Sequence, residues 1–271
     1  MDEAAVPLPH IDYPSGFTPD VPSWPRVWNY WLGGKDNFPA DRRYGDEVAR
    51  IMPGIRHQAR AHRYWVCRVL RFLAIEGIDQ FLQVGGVFPQ NEDDPEQITR
   101  RVRPGSQFVY ADSDPLVLAH TRALKCYPPG NGCEVVNAPP EDADAIVAWA
   151  AMYLDFDRPA AVLLPGILHL LPGDIARDLV AALADAVAPG SWIALAHPAG
   201  LVAPREMRQA AARFEDCGGG TFTLRLPEEV ANLLHGLELI PPGVVEVGAW
   251  RPDLNDRQHV PVDQVGALAR P

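Results

Sequence analysis

Phe81-Leu82-Gln83-Val84-Gly85-Gly86-Val87-Phe88-Pro89 reads as a short buried strand running into a glycine turn. Glycine reaches backbone conformations closed to other residues, and it has no side chain to hold a ligand off the main chain. About two dozen residues on, Phe108-Val109-Tyr110-Ala111-Asp112 reads as a second strand ending in an acid. A glycine turn after one strand and an acid after the next is how an open α/β sheet holds an adenosine. Working outward, strands are expected at 81–85, 107–112, 133–137, 160–165 and 191–197, and helices at about 94–103, 115–126, 142–153, 174–188 and 205–216. This alternation predicts an α/β fold with a mostly parallel, doubly wound sheet. Thr221 to Leu226, a short helix from Pro227, and Gly243 to Trp250 predict a closing antiparallel hairpin. The tail from Arg251 reads as polar and irregular.

Upstream of Phe81 the pattern is different. Residues 1–25 form a proline-rich, irregular leader, with Trp24 as an anchor. From Arg26 to Gly77 the periodicity is helical. Val27, Tyr30 and Trp31 share a face before Gly33-Gly34, and Tyr44, Val48 and Ile51 follow Pro39. Trp65, Val66, Val69, Leu70 and Leu73 then recur at three- and four-residue spacing, with arginines between them. The expected division is therefore a leader (1–25), an N-terminal helical cap (26–77) and an α/β domain (78–271).

A chain of 271 residues, 47% hydrophobic and 22% charged, can bury a sizeable core. Its formal net charge of -11 argues against a nucleic-acid partner, which needs clustered cations. Only two lysines are present, Lys35 and Lys125. Cys67, Cys126, Cys133 and Cys217 form no CxxC pair, so neither zinc nor a disulfide framework is expected. Cys126 and Cys133 could meet across a turn as buried thiols. The first residues lack the pattern of a signal peptide, and no apolar run reaches the roughly 18 residues that span a bilayer. These features predict a cytoplasmic protein with no membrane partner and a small-molecule ligand. They leave the oligomeric state open.

Arg26-Val27-Trp28-Asn29-Tyr30-Trp31-Leu32-Gly33-Gly34-Lys35-Asp36-Asn37-Phe38 closely matches the opening RVYDYLLGGKDNF of a known family. Further matches are Tyr110 to His120, Ile167-Leu168-His169, Ala188 to Ser191 and Trp250-Arg251-Pro252. From about Arg26 to Trp250 the chain resembles S-adenosylmethionine-dependent methyltransferases with a helical N-terminal cap, long catalogued as a domain of unknown function. The resemblance implies a Rossmann-like class I methyltransferase fold with S-adenosylmethionine as cofactor. It places Gln83, Gly85, Gly86, Asp112, Ser113 and Asp142 around the cofactor, with Asp112 accepting from both ribose hydroxyls. Asp114, ahead of Pro115, fits a helix N-cap better.

Three positions depart from the family pattern. Gln83 stands where LDIGTGLPT has its aspartate, Val87 where it has its second glycine, and Pro139 where ADLRDP has an acid for the adenine amino group. Loss of charge assistance at Gln83 weakens the cofactor contact by about 1–2 kcal/mol, and loss of the adenine acceptor by roughly 1 kcal/mol. A β-branched Val87 is strained if the turn needs positive φ. Together these amount to about two to three decades of affinity.

His169 and His197 follow strands on the ligand-bearing edge, and either could serve as general base. Tyr30 is a third catalytic candidate, and it joins Lys35, Asp36 and Asn37 in a polar loop expected to lie over the pocket as a lid. His57 and His62, spaced five apart, do not suit a metal pair and read as ordinary helix residues. Two readings follow. One is a methyltransferase acting on a small molecule. The other is a fold that no longer uses S-adenosylmethionine and serves as a cofactor-independent catalyst or a binding protein.

Overall fold

A computed structural model describes residues 17–85, 88, 94–252 and 260–271. Five parallel strands are β1 (Gln80–Val84), β2 (Gln107–Asp112), β3 (Cys133–Asn137), β4 (Ala161–Leu164) and β5 (Trp192–Pro198). Antiparallel strands β6 (Glu238–Leu239), β7 (Val245–Glu246) and β8 (Gln264–Arg270) complete an eight-stranded sheet of order β3-β2-β1-β4-β5-β8-β6, with β7 also pairing β8. The chain runs outward from β1 to β3 and returns to β4 beside β1. The strand order thus reverses between β1 and β4, where open sheets of this kind leave a crevice.

Alternation along β1 splits the core. Leu82 and Val84 face one layer, built with α6 (Ala143–Ala150), α7 (Gly173–Asp185) and α9 (Pro227–Leu233). Phe81 faces the other, where Trp65, Val69, Leu70 and Leu73 of α3 (Ile55–Ile75) meet Phe108 and Leu268. The apolar stripe of α3 therefore covers the sheet directly. A third cluster sits over the strand ends, where α1 (Trp24–Trp31) and α2 (Pro39–Ile51) pack against Met207 and Phe214 of α8 (Pro204–Asp216). Tyr44 Oη donates to the Ala210 carbonyl at 3.1 Å and ties the two parts together. The sequence reading gave the cap only its N-terminal helices; α8 completes it. The remaining helices, α4 (Pro95–Val102) and α5 (Pro115–Leu124), flank β2 in sequence.

The closing strands correct the sequence reading. Thr221 to Leu226 forms no strand, and Gly243 to Trp250 supplies only the two residues of β7. The principal antiparallel partner of β5 is β8, inside the tail read as irregular. The thiols of Cys126 and Cys133 lie 3.0 Å apart and buried, as free cysteines.

Residues 17–25 of the leader are pinned by a buried ion pair, and residues 1–16 lie outside the described residues. Arg26 Nε and Asp41 Oδ2 are 3.1 Å apart, with the two side chains 2% and 0% exposed. Arg26 also donates to the Thr18 and Val21 carbonyls, while Asp41 accepts from the Ser23 and Phe38 amides. Burial pushes the Asp41 carboxyl up, against the lowering effect of these donors. Removing one member of such a pair leaves an uncompensated buried charge. Asp41→Ala is expected to cost about 3–5 kcal/mol, read as a lower urea midpoint at unchanged slope. A loss below about 1 kcal/mol would show that the pair is not what holds the leader.

Candidate functional site

The crevice between β1 and β4 opens into a cavity of about 410 Å³ at the carboxyl ends of the strands. On its β1–β2–β3 side stand Gly85, Asp112, Ser113, Asp114, Pro140 and Glu141. The connection after β4 contributes Pro165, Gly166, Ile167 and His169, while β5 and β8 contribute Pro198 and Gln264. Thr18, Val21, Ser23, Trp24 and Trp28 line it from the leader and α1, His62 from α3, and Phe214 from α8.

Gly85 is glycine for two local reasons. Its φ is +84°, and a Cβ there would stand 2.9 Å from Ile167 Cβ on the facing connection. Gly86 and Val87 lie outside the described residues. Gln83 is buried, and its amide donates to the Gly85 carbonyl at 3.0 Å, bracing the turn from behind. Its Oε1 is buried with no partner among the described residues.

Asp112 ends β2 with its side chain mostly buried and on the cavity wall. Its Oδ1 accepts from the Asp114 amide at 2.7 Å. Asp114 caps α5, accepting from the Leu116 and Val117 amides, and its other oxygen accepts from Ser23 Oγ at 2.9 Å. Ser23 thus stitches the leader across the cavity to the start of α5. After β3, Asp142 caps α6 by accepting from the Ala145 amide at 2.9 Å, and it is not on the wall. Its neighbour Glu141 is the acid that reaches the wall. Pro139, at the position of the family's adenine acceptor, uses its carbonyl in the turn to the Asp142 amide.

The two histidines of the sequence reading separate in role. His197 is fully buried between the Pro198 carbonyl, 2.8 Å from Nδ1, and Arg225 Nη1, 2.7 Å from Nε2. Arginine only donates, so Nε2 accepts and Nδ1 carries the proton. Burial, with Arg225 adding, lowers the pKa of His197 to about 3. Both of its ring nitrogens are committed. His169 is on the wall, 1% exposed, and neither ring nitrogen has a partner among the described residues. Its ring packs 4.6 Å from Trp24 and 4.6 Å from Phe222, with His197 6.0 Å behind. Burial holds its pKa well below the usual histidine range, helped by His197 and Arg225. The neutral imidazole is therefore the resident form.

The loop expected as a lid has other partners. Tyr30 Oη donates to Asp46 at 2.6 Å, which raises its pKa. Asp36 lies 3.2 Å from His120, and Asn37 joins Asn29, Gly34 and Arg42. Tyr30, Lys35, Asp36 and Asn37 are not among the described residues of the cavity wall. The segment from Thr18 to Trp28 lies there instead. His62 is also on the wall, hydrogen-bonded to the Pro165 carbonyl, and burial brings its pKa to about 4. Its place three and four residues before Trp65 and Val66, on the apolar stripe of α3, was the sequence signal for it.

The sequence profile described as S-adenosyl methyltransferase matches residues 14–270. The chain belongs to that family. A protein from Thermobifida fusca YX assigned as a methyltransferase shares 34% identity with this S-adenosyl methyltransferase family member. They superpose with a TM-score of 0.83 over 93% of this chain and 95% of the other. A DUF574 family protein from Streptomyces avermitilis MA-4680 shares 31% identity, with a TM-score of 0.86 over 92% of this chain and 97% of that one. The mitomycin 7-O-methyltransferase MmcR, at 16% identity and a TM-score of 0.52 over 80% and 56% of the chains, shares the fold. No curated protein matches the sequence. The sheet is thus the Rossmann-like class I methyltransferase fold. Among the described residues no helix is long and apolar enough to cross a membrane, and no group of three or more His, Cys, Asp or Glu could hold a metal ion.

Proposed function

We propose that the chain is an S-adenosylmethionine-dependent methyltransferase acting on a small molecule held in the same cavity. The carrying observation is the pairing of Asp112, at the end of β2, with the unpartnered His169 across the switch point of one cavity. The β1–β2–β3 side fits the cofactor. Asp112 presents a carboxylate for the ribose hydroxyls, and Gly85 keeps the turn open to a ligand's approach. Ser113 and Glu141 offer further polar contacts, Glu141 in place of the acid missing at Pro139. When bound, S-adenosylmethionine would supply a methyl group already activated on a sulfonium. The protein's part is then alignment and exclusion of water, plus removal of a proton where the acceptor loses one. His169, neutral and without a competing hydrogen bond, takes that proton at a ring nitrogen. His197 is held behind it by Arg225 and the Pro198 carbonyl, and acts as a support.

Titration calorimetry with S-adenosylhomocysteine tests the reading. A dissociation constant in the micromolar range is expected, and silence at millimolar ligand would sink it.

A further inference from the structure

The half of the cavity away from Asp112 has its own chemistry. It combines aromatic walls, Trp24, Trp28 and Phe214, with buried polar atoms that have no partner among the described residues: both ring nitrogens of His169 and Oε1 of Gln264. Gln264 is 1% exposed, and its Oε1 can only accept. Neutral His169 offers one acceptor and one donor. Buried polar atoms of this kind cost free energy until something pairs with them. A ligand that completes the site must therefore donate a hydrogen bond and be otherwise apolar and flat.

Charge narrows the class further. Asp112, Asp114 and Glu141 stand on the opposite wall, so the cavity opposes an anion. The nearby guanidinium of Arg225 is not among the described residues of the cavity wall and turns three of its N–H groups away to protein acceptors. It donates to His197 and to the Leu168 and Leu171 carbonyls at 2.8 and 3.2 Å. A carboxylate or phosphate entering here would be buried beside negative groups with its charge unpaired.

We infer that the methyl acceptor is an uncharged, planar aromatic carrying a hydroxyl, a phenol rather than a carboxylic acid. It would be gripped by the rings of Trp24, Trp28 and Phe214, with its one O–H shared in a three-centre bond between the bare ring nitrogen of His169 and Oε1 of Gln264. The inference rests on the cofactor occupying the Asp112 side. The probes are 2-naphthol and 2-naphthoate, rings of the same size that are neutral and anionic at pH 7.5. Each is titrated by calorimetry into the full chain saturated with S-adenosylhomocysteine. 2-Naphthol is expected to bind at least tenfold more tightly than 2-naphthoate. Gln264→Leu and His169→Phe are each expected to weaken 2-naphthol roughly tenfold, the value of one hydrogen bond to a buried partner. Thermal melting checks that both variants fold, and Gln264→Leu alone suffices if His169→Phe does not. Equal or tighter binding of 2-naphthoate would overturn the inference. So would no binding of 2-naphthol at its solubility limit, or 2-naphthol binding unchanged in every folded variant. S-Adenosylhomocysteine binding is measured separately. Its presence with 2-naphthol silent defeats the acceptor class alone, whereas its absence defeats the cofactor reading first.

Discussion

Between pH 8 and pH 5 the protein is expected to lose on the order of 5 kcal/mol of folding stability, because three histidines are buried in their neutral form. His62 and His197 have pKa values of about 4 and about 3, and His169 lies well below the histidine range. Burial is the leading cause for all three. In the unfolded chain each would titrate near 6.5. Below that pH the unfolded state binds protons that the folded state refuses, so stability falls as pH falls. At pH 5 His62 and His197 have each withdrawn about 2 kcal/mol and His169 adds in the same direction, while a whole domain has only about 5–15 kcal/mol to lose. Asp41, whose carboxyl is pushed up, works in the opposite direction, but nearer the carboxylate range at lower pH. Urea denaturation at half-unit steps of pH measures the slope, and His169→Phe should make it shallower. Stability that stays level from pH 8 to pH 5 would mean the imidazoles find proton acceptors or water on protonation.

The same burial bears on catalysis. A free histidine acting as base would lose activity as pH falls through 6.5. His169 stays neutral through that range, so acid loss of activity should follow unfolding and not titration of the base. The aromatic packing that makes His169 available as an acceptor is also what makes the fold acid-labile.

Much of the fold was legible because glycine and proline punctuate it. Pro39, Pro115, Pro204 and Pro227 each open a helix, and the five parallel strands fall within about a residue of their expected places. What the sequence hid was set by tertiary contact. β8 contains Gly266 in mid-strand, and glycine there speaks against a strand. A Cβ on Gly266 would stand 2.5 Å from the Trp65 ring, so the residue that weakens the local signal is what lets α3 lie on the sheet. The cofactor side of the site was readable from Gly85 and Asp112. The leader's place over the cavity was not, since it depends on Arg26, Asp41 and Ser23 finding each other across separate segments. The family motif around Lys35-Asp36-Asn37 drew attention to a loop whose polar groups hold α1, α2 and α5 in place. Gln264 offered no signal, because one glutamine in an unrecognised strand looks like any other.

Asp112→Asn is expected to weaken S-adenosylhomocysteine binding by about a hundredfold while leaving the fold intact. The substitution keeps an oxygen able to accept from the Asp114 amide, the bond that shapes the turn into α5. It replaces the other carboxylate oxygen with an amide that only donates, and it removes the charge. A ribose diol then loses two charge-assisted hydrogen bonds, about 3 kcal/mol in all, and each 1.4 kcal/mol is tenfold in affinity. The cap of α5 should hold, because Asp114 keeps its bonds to Leu116, Val117 and Ser23. Asp112→Ala is the harsher comparison, losing the turn bond as well, and should lower both affinity and melting temperature. Ser23→Ala separates the ribose contact from the leader's anchorage, since it breaks only the bond across the cavity to Asp114. If Asp112→Asn binds S-adenosylhomocysteine within threefold of the unmodified chain, the carboxylate is a turn-former and the adenosine sits elsewhere. A hundredfold loss without a change in melting temperature can come only from a contact made to the ligand.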